Sequence, residues 1–174
     1  LVGSEMCIRD RFMTKDEMKK VVCQAIDEAT EKIHETVLRI ESEPELGYKE
    51  TKTAAKVESY MKELGLTPQT GLALTGVKTC VDGGKKGPAV AVLAELDAVG
   101  TPDSPKADPL TGAAHTCGHF LQMASMLAAC TGIVKSDVMK DLAGSAVFFA
   151  VPAEEYVEID YRKRLVKEGK IHFL

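Results

Sequence analysis

Two hydrophobic periods take turns along the 174-residue chain and predict helices and strands in alternation. Met18, Val22, Ile26, Ala29, Ile33, Val37 and Ile40 recur at three- and four-residue steps, one face of a long helix. Thr14 and Glu17 open it with the spacing of a capping box, and residues 42–47, with Pro44 among them, stop it. A second helix is predicted over 49–64, with Ala54, Val57, Met61 and Leu64 inward and Gly65 as its C-terminal cap. Strands are predicted over 73–81 and 89–96, separated by the turn-rich stretch 82–88. The second strand is almost wholly apolar, which predicts burial on both faces. A polar, Pro-containing loop over 99–115 leads to a helix over 117–131 ended by Gly132. Another buried strand, 145–151, and a charged helix, 158–167, follow, the helix ending at Gly169. Strands alternating with helices predict an α/β layered sandwich. Residues 1–12 carry neither period and read as a non-native leader ahead of a natural start at Met13.

Composition narrows the function classes. Hydrophobic residues make up 45% and charged residues 28%, which excludes a disordered tail, a fibre or a disulfide miniprotein. Twenty-two Lys and Arg against 26 Asp and Glu leave a net charge of −4 without a basic stripe, so a nucleic-acid partner is not expected. Uncharged stretches are too short to span a bilayer, so no membrane partner is expected either. Five widely spaced Cys suit a reducing compartment, and the expected location is cytoplasmic.

Three clusters carry candidate chemistry. Cys117 and His119 stand one residue apart in Gly112-Ala-Ala-His-Thr-Cys-Gly-His119, just before an apolar helix. Across a non-helical turn, thiolate and imidazole can converge on one zinc-like ion. The same pair also reads as a buried Cys beside a hydrogen-bonded His. Glu154 and Glu155 emerge after Pro152 at the end of an apolar strand. In extended backbone, adjacent side chains point opposite ways, so one carboxylate can hold a metal while the other serves as general base. A solvated acidic loop is the plainer alternative. Glu95 and Asp97 lie two residues apart on one face at the end of the other apolar strand.

Taken together, Pro44-Glu-Leu-Gly47, Ala94-Glu-Leu-Asp-Ala98, the Cys117–His119 segment and Val151-Pro-Ala-Glu-Glu155 resemble the amidohydrolase branch of the zinc-dependent aminoacylase and carboxypeptidase family. That branch cleaves N-acyl and indoleacetyl amino acids. The resemblance implies a three-layer α/β/α sandwich of the zinc-exopeptidase type, with residues 13–174 as the N-terminal part of the catalytic domain. The C-terminal half and the lid domain, through which a full-length form would dimerise, would lie outside this stretch. It implies Cys117, His119 and Glu155 as metal ligands and Glu154 as general base. Two divalent ions are implied, zinc first, with manganese or cobalt as alternatives. Asp97 is better placed to orient a ligand than to be one. Glu95, where carboxypeptidase relatives carry His, is a weaker candidate ligand. His115 is expected as a hydrogen-bonding neighbour of the metal site, while His34 and His172 read as structural or exposed. Phe120 follows His119 where the family often has Asp or Asn.

The function expected is metal-dependent hydrolysis of an amide C–N bond in an N-acyl amino acid or peptide-like small molecule. The 174 residues alone are expected to be inactive and to expose an apolar sheet face. A thiol hydrolase using Cys117 as nucleophile, with His115 or His119 as base, is a second reading. A non-catalytic, decayed paralogue that keeps the fold is a third.

Overall fold

A computed structural model describes residues 13–154 and 159–172. Helix α1 (Lys15–Glu41) opens on the expected capping box: the Glu17 amide donates to Thr14 Oγ1 and the Thr14 amide donates to Glu17 Oε2. Its buried face holds Ala25, Ala29, Ile33, Val37 and Ile40. Helix α2 (Thr51–Glu63) ends on Gly65, whose φ of +81° meets the left-handed cap requirement. Strands β1 (Gln69–Leu72) and β2 (Gly76–Asp82) form a hairpin. Strand β3 (Ala89–Glu95) is followed by the short pair β4 (Val99–Gly100) and β5 (Ala113–Ala114), which closes the polar loop. Then come α3 (His119–Ser136), β6 (Ser145–Val151) and α4 (Ile159–Lys167).

The main sheet runs β1-β2-β6-β3, with β3 and β6 parallel and joined through α3. A parallel pair needs such a crossover, and it brings the carboxyl ends of both strands to the N-terminal end of the crossover helix. One sheet face carries the core. Val77, Thr79, Ala94, Phe148 and Ala150 are buried there, and Met123, Met126 and Leu127 of α3 join the same core as Ile33, Val37 and Ile40 of α1.

Three expectations are corrected. First, β3 is an edge strand with one face covered among the described residues. In register on the other face lie Leu93, Phe149 and Lys78, with Leu93 59% exposed. A strand apolar on both faces looks the same in sequence whether one layer of helices or two lies against it. Second, Gly132 does not end α3. A Cβ there would stand 2.8 Å from Val22 Cγ1 and 2.9 Å from Ile26 Cγ1, so the missing side chain lets α1 and α3 approach closely. The helix runs on to Ser136 and stops at Asp137, with φ +60°. Third, residues 73 and 74 belong to the β1–β2 turn with positive φ, not to a strand, and β1 was not predicted. Its sequence, Gln-Thr-Gly-Leu, has no apolar alternation to read.

Candidate metal centre

Both chemical strands end at one place. Glu95 closes β3 and is paired in register with Val151 of β6; three residues beyond Val151 comes Glu154. Pro152 has no N–H for the ladder, so the chain leaves the sheet here and carries Glu154 free of it. His119 is the first residue of α3, entered through Gly118 at φ +92°. That left-handed step costs glycine little, and it turns the imidazole back towards the strand ends. Donor atoms of Glu95, His119 and Glu154 all lie within 4.8 Å of one another.

His119 is 1% exposed and bracketed on both ring nitrogens. Its Nδ1 lies 2.9 Å from Asp97 Oδ1 and 3.1 Å from the Asp97 carbonyl oxygen. Both are acceptors only, so Nδ1 carries the hydrogen and donates. Nε2 then points at Glu95 Oε2, 3.1 Å away. The two-residue spacing of Glu95 and Asp97 is what allows one imidazole to fit between them. Carboxylate-oriented imidazole with the opposite nitrogen aimed into a carboxylate cluster is the arrangement of a metal-ligating His.

Electrostatics also favour a cation here. Burial pushes the Glu95 carboxyl above its ordinary value, the cationic form of His119 pulls it back, and the charges of Glu154 and Asp97 push it up further. A divalent ion among these groups would relieve that repulsion, so the donor set fits a metal. Fixed oxygen donors with one imidazole suit zinc and its neighbours.

Among the described residues the group so assembled holds His119, expected as a ligand, Glu154, expected as the general base, and Glu95, a weaker candidate ligand. Cys117 is exposed on the turn before α3 and is not in that group. Glu155 lies outside the described residues. His115 sits beside the site with its ring tilted against Phe120, centroids 5.6 Å apart. Burial first, then the nearby His119, holds its pKa low, while the Ile40 backbone beside it acts the other way. Phe120 packs against the core. His119 needs no polar neighbour at that position, because Asp97 already orients it. His34 and His172 are exposed, as expected.

Glu50 carries no motif in the sequence, yet it is fully buried behind the site. It accepts from the Tyr48 amide at 2.7 Å and from Thr75 Oγ1 at 2.6 Å, pinning Tyr48 at φ +60°. Burial raises its pKa, the hydrogen bonds lower it, and the Asp97 charge adds a small upward push. A carboxyl with a raised folded pKa binds its proton more tightly when folded, so its ionisation costs stability as pH rises past the ordinary glutamate value. Glu50→Gln should therefore gain on the wild type as pH is raised from about 4 to about 7. Glu50→Ala, which strands the Tyr48 amide and opens a cavity, should lose about 2–4 kcal/mol at either pH. Denaturant unfolding at both pH values checks the pair.

No protein-family model matches the chain. Among curated proteins, YhaA of Bacillus subtilis, named as an amidohydrolase, is 31% identical over 147 residues, covering 83% of this chain and 37% of YhaA. Thermostable carboxypeptidase 2 of Saccharolobus solfataricus is 32% identical over 136 residues, 75% of this chain and 34% of that protein. IAA-amino acid hydrolase ILR1-like 4 of Arabidopsis thaliana is 31% identical over 120 residues, 67% of this chain and 27% of that protein. The chain thus spans about a third of the length of the curated relatives it matches. A Staphylococcus aureus crystal structure described as an aminohydrolase superposes with a TM-score of 0.66 at 25% identity, over 79% of this chain and 35% of that one. The fold is shared with Bacillus subtilis YXEP, described as a dinuclear metal binding peptidase of the M20 family, at TM-score 0.60 and 24% identity, over 87% of this chain and 40% of that one. By sequence, by fold and by the motifs at its strand ends, the chain belongs to the M20 family of amidohydrolases and carboxypeptidases.

Proposed function

We propose that this chain contributes the metal centre and general base of a hydrolase for the amide C–N bond of N-acyl amino acids or peptide-like small molecules. The observation that carries the reading is His119 held by Asp97 on one nitrogen and facing Glu95 and Glu154 on the other. Its setting at the ends of two parallel strands is where α/β folds keep their ligands. His119, Cys117 and Glu155 would hold zinc, with Glu95 as a further donor and Asp97 fixing the imidazole. A second divalent ion, and manganese or cobalt in place of zinc, belong to the same proposal. When bound, the metal supplies Lewis acidity to the amide carbonyl and acidifies water.

Glu154 is exposed at the mouth of the site and free of the strand ladder. Its carboxylate accepts a proton from the attacking water and passes it to the leaving amine nitrogen. No helix among the described residues is long and apolar enough to cross a membrane. A cytoplasmic setting and a homodimer formed through a lid domain remain part of the proposal.

The test is release of amino acid from N-acetyl amino acids, on a chain extended to the relatives' length, before and after chelation. Turnover should vanish with chelator, return with zinc, manganese or cobalt, and resist thiol alkylation while metal is bound. Chelator-resistant turnover that alkylation abolishes would contradict the metal reading and favour Cys117 as nucleophile.

A further inference from the structure

Arg162 of α4 plays no part in the chemistry above, yet it reaches the residue next to Glu154. Its Nη2 donates to the Ala153 carbonyl oxygen at 3.0 Å. The β6 ladder has ended at Val151, so this bond fixes backbone that the sheet no longer holds. The guanidinium carbon lies 5.8 Å from the centroid of Tyr48, the residue whose left-handed backbone Glu50 pins. Tyr48 and Ala153 share a small buried cluster with Leu165 and Ile171, separate from the main core. Arg162 Nε is buried and meets no acceptor among the described residues. A Met or Leu would fill that space without stranding a donor, so packing alone does not account for a guanidinium here.

We propose that Arg162 is a positioning residue, whose bond to Ala153 sets where the Glu154 carboxylate stands against Glu95 and His119. Its consequence for turnover rests on Glu154 being the general base; the positioning itself is measurable without that reading.

The experiment is backbone ¹⁵N relaxation on the 174-residue chain. The wild-type Glu154 amide should show an order parameter near the rigid value of about 0.85, and Arg162→Met should lower it towards about 0.6 or below. Leu165→Ala removes a buried side chain from the same helix but leaves the Ala153 bond, so it should lower the melting temperature and leave Glu154 ordered. If Arg162→Met does not fold, Arg162→Lys is read the same way, with a smaller drop confined to Ala153 and Glu154. An unchanged Glu154 amide in the Arg162 variant that folds, or an equal drop in Leu165→Ala, would overturn the proposal. In an active, extended chain, Arg162→Met should lower kcat and leave KM unchanged. A wild type without metal-dependent turnover would defeat the proposed function, while the order parameter would still decide the role of Arg162.

Discussion

Replacing His119 by Ala should lower zinc affinity by more than the roughly 10–100-fold that loss of an orienting partner costs, because a ligand itself is removed. The imidazole is 1% exposed and is the one neutral donor among Glu95, Asp97 and Glu154. Without it, the Asp97 carboxylate, also 1% exposed, loses its side-chain partner, and like charges face one another across the gap. A buried carboxylate left without its hydrogen-bond donor costs about 1–3 kcal/mol or more, so the variant should also be less stable. Asp97→Asn separates the two effects. The amide oxygen still accepts from Nδ1 while the charge is gone, so affinity should fall about 10-fold with the fold intact. Calorimetric zinc titration, with circular dichroism to confirm folding, measures both variants. Wild-type affinity in a folded His119→Ala chain would show that the cluster does not bind metal through this residue.

The second large effect concerns turnover rather than binding. Glu154→Gln keeps the shape of the side chain but can no longer take a proton. In an active, extended chain, kcat should fall by about 10²–10⁴, the usual loss for a general base, with KM and metal content close to wild type. If Glu154 were chiefly a ligand, metal content would fall in step with activity. Turnover within about 10-fold of wild type would remove Glu154 from the mechanism.

Where the chain was legible, the signal was local. The capping box at Thr14, the seven-residue strand at 145–151 and the left-handed cap at Gly65 all follow from neighbouring residues, and all are present. Gly132 differs from its expected role because a glycine at a helix end and a glycine under a neighbouring helix look alike in sequence, and only the fold sets Val22 and Ile26 against it. The openness of β3 depends on how many layers lie against the sheet, and Leu93 and Phe149 read equally well as core or as exposed face.

At the site, the spacing of Glu95 and Asp97 and the Cys117–His119 segment stood out as motifs, but not how they meet. The imidazole fits between the two carboxylates only because the β3–α3–β6 crossover returns the helix start to the strand ends. Glu95 is the weaker candidate in sequence because carboxypeptidase relatives carry His at its position, and its partner His119 lies 24 residues on. Glu50, Tyr48 and Arg162 gave no sequence signal, since their roles come from burial and contacts between distant segments.

Zinc-edge X-ray absorption on the metal-loaded chain reads the metal centre most directly. Imidazole scattering from His119, oxygen or nitrogen neighbours at about 2.0–2.2 Å and one sulfur at about 2.3 Å from Cys117 are expected. The imidazole signal should disappear in His119→Ala. Zinc bound without an imidazole, or no zinc retained by the folded wild type, would contradict a metal centre at the ends of β3 and β6.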